Sequence, residues 1–464
     1  MTTARRALAA LLVGALVLAA ACGGDDDEGS GGDDGGGAGE TTGGTTLAVP
    51  EDYDTIQAAV DAASPGDLIL VSPGTYEEAV NVETDELTIR GLDRNEVILD
   101  GGFEKDNGIR VAGADGVAIE NMTARNYTNN GFFWTGVEGY RGSYLTTYRI
   151  GDYGVYAFDS TRGLLEHSYA SGSPDAGFYI GQCYPCDAVI DDVVSEYNGL
   201  GYSGTNSGGD LYIVNSTFRF NRAGIVPNSG SYELCYPSRG TTIVGNTVYA
   251  NNQPDTPAID VALTAMGNGI LPAGAVNTVI ERNLVYDHDL TGIGLVPFPE
   301  DDPSDDVPPP SDDERPCAEA KNDQPADPAT IANPLIWNPR GNRVVGNVVE
   351  SSRLADIAVG SLEDISQSGN CFGDNTFGTS APLDLQTLAP CEGTGSGDWS
   401  AGALDLGALI AAAENAPGSG DYKTSPIPGP QESMPDAADS PARPATDVPR
   451  AVDLDAIEVP TKPS

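Results

Sequence analysis

Asn107-Gly108-Ile109-Arg110-Val111, Asn130-Gly131-Phe132-Phe133-Trp134, Tyr153-Gly154-Val155-Tyr156-Ala157 and Ala176-Gly177-Phe178-Tyr179-Ile180 repeat one pattern, a glycine opening a run of alternating side chains. Their glycines stand 23 residues apart. Gly201 and Gly224 extend the series with a single spacing of 24, and Gly269 and Gly292 resume its phase after an insertion. The residue after each glycine is apolar and points inward: Ile109, Phe132, Val155, Phe178, Tyr202, Ile225, Ile270 and Ile293. A period near 23 residues is one coil of a stacked β-solenoid, where each coil buries its apolar layer against its neighbours.

The first residues read as an export signal (1–21). Arg5 and Arg6 precede an apolar run, Ala7 to Ala21, too short to be a permanent membrane span. Cys22 follows three alanines, an arrangement similar to a bacterial lipoprotein cleavage site in which Cys22 becomes the lipidated first residue; ordinary secretion with a free Cys22 is the alternative. Residues 22–46, rich in Gly, Asp and Thr, predict a flexible tether to the membrane. Six further cysteines in an exported chain allow three disulfides. Local pairing favours Cys183 with Cys186, Cys371 with Cys391, and Cys235 with Cys317, with other connectivities open. Cys183-Tyr-Pro-Cys186 reads better as a staple than as a redox or zinc motif, because no second Cys-x-x-Cys accompanies it and only two histidines exist. A net charge of −46 argues against nucleic acid, which needs clustered Lys and Arg, and confines membrane contact to the lipid anchor.

The β-helix domain is expected over 47–395, with insertions at about 228–266 and 298–335 and a mostly disordered low-complexity tail over 396–464 that holds one candidate helix, Leu404–Ala413. A helix Thr55–Ala63, capped by Asp54 with Gln57 three residues on, would plug the first coil with Ile56, Ala59, Val60 and Ala63. A polar column about 13 places after the glycine, Asn121, Tyr144, His167, Asp191, Asn215 and Asn283, predicts a partial asparagine ladder.

Thr55-Ile56-Gln57-Ala58-Ala59-Val60, Pro65-Gly66-Asp67 and Pro73-Gly74-Thr75-Tyr76 resemble the opening of secreted bacterial proteins of the pectin-lyase-like superfamily. Glu166-His167-Ser168-Tyr169, with Asp175 through Gln182, resembles a signature of a subgroup of exported, often lipid-anchored repeat proteins that carries no assigned reaction. The resemblance covers about residues 50–390 and implies an all-β chain, a single-stranded right-handed parallel β-helix with an N-terminal capping helix and disordered termini. Of the catalytic blocks of the superfamily's galacturonan hydrolases only Asp191-Asp192 stands out. Tyr286-Asp287-His288-Asp289 lacks the glycine and proline of the mannuronan epimerase block. A copper-loading relative finds too few histidines here.

Chemistry is expected on an outward face. Arg110, Phe133, Tyr156 and Tyr179 stand two places after their glycines, a column of rings suited to stacking on sugars. Asp152 and Asp175 stand two places before theirs, one coil apart. They admit three readings: a Ca²⁺ site, a raised-pKa acid beside an ionised neighbour, or turn-capping aspartates. Gln182 and Asn206, five places after their glycines, could hydrogen-bond sugar hydroxyls. His167 falls on another face; His288, between Asp287 and Asp289, reads as a proton-transfer group of raised pKa or as a polar turn. The expectation is a monomeric, extracytoplasmic, lipid-anchored protein that binds a polysaccharide or envelope glycan. The alternatives are a lyase, epimerase or hydrolase using Asp152, Asp175 and Tyr179, and a purely structural scaffold.

Overall fold

In the computed structural model, which describes residues 44–463, the glycine series comes into register. The export signal, Cys22 and most of the tether lie outside the described residues. Ile109 pairs with Phe132, Phe132 with Val155, Val155 with Phe178, Phe178 with Tyr202 and Tyr202 with Ile225, all fully buried. Isolated bridges continue the column to Ile270 and Ile293. The repeat needs glycine because coils meet backbone to backbone there. A Cβ on Gly131 would lie 2.5 Å from the carbonyl oxygen of Gly154, and one on Gly154 2.6 Å from that of Gly177.

One face of the solenoid is a seven-stranded parallel sheet from Val80–Val82 to Ala223–Asn228. Most other strands merge into a 21-stranded sheet, because Val117–Arg125 and Glu138–Tyr148 run unbroken past one corner and each pairs with two strands of a neighbouring coil, the first with the coil before it and the second with the coil after. The first end is plugged by the helix Ile56–Ala62, which buries Ile56, Ala59 and Val60. Its cap is Thr55 rather than Asp54, with the Glu78 carboxylate accepting from the backbone of Ile56 and Gln57.

Asparagine ladders stiffen two corners. Asn121, Tyr144, His167 and Asn215 adopt the left-handed conformation; of the expected column Asn283 joins the main ladder, which runs one residue further on than the others, through Asn246, Asn283, Asn347 and Asn375. Each Oδ1 accepts the backbone N–H of the preceding coil, and Gln386 closes the last rung. A second ladder passes from Asn198 to Asn221 and Asn251 and ends on His288 Nε2.

The first insertion divides into two excursions, since Thr241–Val244 and Thr247–Tyr249 stay in the stack. The disulfides pair as Cys183–Cys186, Cys235–Cys317 and Cys371–Cys391, the second tying one insertion to the other.

The tail departs most from expectation. After the helix Leu406–Glu414, residues 417–462 form a strap laid lengthwise over the coils rather than a disordered segment. It descends from Arg222, which donates to Pro417 O, past Arg149 at Ser425 O, to Arg94 at Glu432 O. It then returns from Arg90, which donates to Ser440 O and Pro441 O, past Arg141 at Arg443 O and Arg162 at Thr446 O, to Arg282 at Leu454 O. Arg90 and Arg141 also share the buried Glu120 carboxylate. The strap buries its own Ala437, Ala445 and Val448, the last two against Ala118, Leu164 and Val189 of the coils. Its composition cannot build a core of its own; solenoid arginines satisfy its carbonyls instead.

Candidate functional site

The outward column on the seven-stranded face holds as a register, Arg110 beside Phe133, Phe133 beside Tyr156, and Tyr156 beside Tyr179. The Phe133 and Tyr156 rings stack at 4.7 Å, both half-buried, and the Arg110 guanidinium lies 5.8 Å from the centre of Phe133. Tyr153, which the sequence reading did not select, lies flat on Tyr156 at 4.3 Å, so the Tyr156 ring has Phe133 stacked on one face and Tyr153 on the other and turns its edge outward.

Tyr179 corrects the expectation of an exposed ring, being only 1% exposed. The first insertion crosses over it, and its hydroxyl donates to Glu233 at 2.7 Å. Gln182 and Asn206 are likewise buried and already engaged. Gln182 Oε1 accepts from Leu234 N, and Asn206 Nδ2 donates to Gly230 O and Glu233 O. Rather than facing a sugar, these amides hold the loop that carries Glu233.

Asp152 and Asp175 sit on adjacent coils, linked where Asp175 N donates to Asp152 O at 3.3 Å. Asp175 is 7% exposed and accepts the Tyr153 hydroxyl at 2.9 Å. Burial and the nearby Asp260 push Asp152 up to about 7. Burial, then the Asp152 charge, raises Asp175 well above the usual carboxylate range, against the pull of the Tyr153 hydrogen bond. Burial lifts Glu233 to about 7. Three carboxyls from three segments therefore converge around Tyr153, Tyr156 and Tyr179, a platform edged by groups able to donate as well as accept protons near neutrality. Among the described residues no group of three His, Cys, Asp or Glu side chains is set to hold a metal, and two aspartates fall short of the six to eight oxygens of a Ca²⁺ shell.

The histidines are elsewhere. His167 Nδ1 meets Asp192 Oδ2 at 2.7 Å on an outer corner under the strap. His288 is 2% exposed at the end of its ladder, and burial pushes it down to about 3, so it is neither a proton donor nor raised by Asp287 and Asp289.

Residues 79–297 match the family model described as right handed beta helix region. The chain folds as a right-handed parallel β-helix. Among solved structures, this β-helix is similar to the A-module of mannuronan C-5 epimerase AlgE4 of Azotobacter vinelandii, at 15% identity over 76% of this chain and 97% of that one, TM-score 0.45. It is also similar to a PL6 alginate lyase in complex with a trisaccharide, at 12% identity over 82% and 96%, TM-score 0.41. A third is PfbA, a surface adhesin of Streptococcus pneumoniae, at 10% identity over 72% and 91%, TM-score 0.43. No curated protein matches the chain in sequence. The three disulfides suit this β-helix to an oxidising, extracytoplasmic space. Among the described residues no helix is long and apolar enough to cross a membrane.

Proposed function

We propose that the protein is a lipid-anchored extracytoplasmic β-helix that binds polysaccharide along the Arg110, Phe133, Tyr156 and Tyr153 platform. The observation that carries this reading is the ladder of half-buried, mutually stacked rings whose edges form a contiguous apolar strip, since apolar area left at a surface is a feature sugars pack against. Cys22 supplies the anchor. A second reading, glycan cleavage or epimerisation at Asp152, Asp175 and Tyr179, draws support from carboxyls raised to about 7 beside buried tyrosine hydroxyls.

The test uses the full chain with Cys22→Ser, because truncation at residue 395 would strip the strap. Retention on a panel of neutral, acidic and amine-bearing polysaccharides is expected, weakened about 2- to 10-fold by Tyr156→Ala. No retention on any polymer refutes binding. New products that vanish with Asp175→Asn would establish the enzymatic reading instead.

A further inference from the structure

Buried carboxylates elsewhere in this protein either meet an arginine or have both oxygens hydrogen-bonded, as Asp67, Glu300 and Asp356 do. Glu120 lies between Arg90 and Arg141, Glu166 meets Arg450 at 3.2 Å, and Asp313 meets Arg340 at 2.8 Å. At the platform the pattern breaks. Among the described residues, no cationic side chain approaches Asp152, Asp175 or Glu233 within ion-pair distance; what surrounds them is one another, Asp260 and tyrosine. Asp175, more than nine-tenths buried, accepts the Tyr153 hydroxyl on one oxygen and no protein donor on the other. The only cation of the column, Arg110, stands two coils before Tyr156, against Phe133. A buried acidic group costs free energy unless a counter-charge or a proton neutralises it. Such a cluster beside half-buried rings is neutral while it holds protons and can exchange them for an arriving cation.

The chemistry of the arriving group can be narrowed. The carboxyls come from two coils and an insertion, and no three of them are set around one metal position. An anionic group set among these three carboxyls would meet only like charge. An ammonium group has three donors for several acceptors, and it is attracted to the face of an aromatic ring as well as to carboxylates. We infer that the platform takes a glycan bearing protonated primary amines, its rings packed along the outward edges of Phe133 and Tyr156 and an ammonium received by Asp152, Asp175 and Glu233. This inference rests on the polysaccharide-binding reading and gives it a ligand class.

The test is calorimetric titration of the full Cys22→Ser chain at pH 6 with four probes: a β-1,4-glucosamine hexamer, the same hexamer N-acetylated, a uronate hexamer and a lysine hexapeptide. The expected result is at least about tenfold tighter binding of the glucosamine hexamer than of any other probe. Its binding should release protons, seen as a heat that varies with the buffer's ionisation enthalpy, because an arriving ammonium drives the carboxyls to ionise. Glu233→Gln and Asp152→Asn, both isosteric, should each reduce the preference over the N-acetylated hexamer. Equal or tighter binding of the N-acetylated or uronate hexamer overturns the inference and leaves polysaccharide binding standing. Preference for the lysine peptide overturns it in favour of a basic protein partner, and binding of no probe removes both readings.

Discussion

Glu120→Ala leaves two buried guanidiniums without their shared anion. Arg90 donates to Glu120 at 2.7 Å and Arg141 at 2.9 Å, with all three side chains at or near zero exposure. Removing one member of a buried ion network costs about 3–5 kcal/mol, because the remaining charge stays desolvated. Over the 420 described residues, an unfolding entropy of about 2.1 cal/mol/K per residue gives about 0.9 kcal/mol/K, so Tm should fall by about 3–6 °C. The loss should also be local. The same arginines hold the carbonyls of Ser440, Pro441 and Arg443, so hydrogen exchange should accelerate across 437–446 while the inward column from Ile109 to Phe178 keeps its protection. Tm within about 1 °C of the wild type together with an unaltered strap exchange rate would refute the claim that these arginines join strap to solenoid.

Two further outcomes follow from the same physics. Asp152 and Glu233 are raised to about 7 in the folded protein, so the stability they contribute is complete below about pH 4 and is lost as the pH rises through 7. Thermal melts of Asp152→Asn/Glu233→Gln between about pH 5 and 8 should decline less with pH than the wild type, and parallel declines would contradict the placement of these groups. Asn347→Ala should cost about 1–3 kcal/mol by denaturant titration, because the amide of Asn283 and the carbonyl of Ile280 lose buried partners at 2.9 Å; a change below about 0.5 kcal/mol would deny the ladder its role.

The coil architecture was legible because its cause is local and repeated: every coil must pass a backbone carbonyl close to the next, and Gly108, Gly131 and Gly154 record that contact in sequence. Phe133 and Tyr156 were legible for the same reason, as a fixed phase of the period. Glu233 was not, because it enters from an insertion that obeys no period and is held by Gln182 and Asn206, whose amides look identical whether they face a loop or a sugar. Tyr153 occupies a position filled by Asn107, Asn130 and Ala176 in neighbouring coils, so no column announced it. The strap was hidden because its order comes from arginines scattered between positions 90 and 282, a complementarity of backbone carbonyls that side-chain composition does not encode.

The strap changes when the molecule can be complete. A bare solenoid gains its stability between neighbouring coils and can grow from one end as it emerges. Here Arg90, near the start, closes on Pro441 across 351 positions of sequence. The opening coils therefore wait for residues about 350 positions later in the chain, and a chain cut before Pro441 leaves the guanidiniums of Arg90 and Arg141 without the carbonyls that cover them.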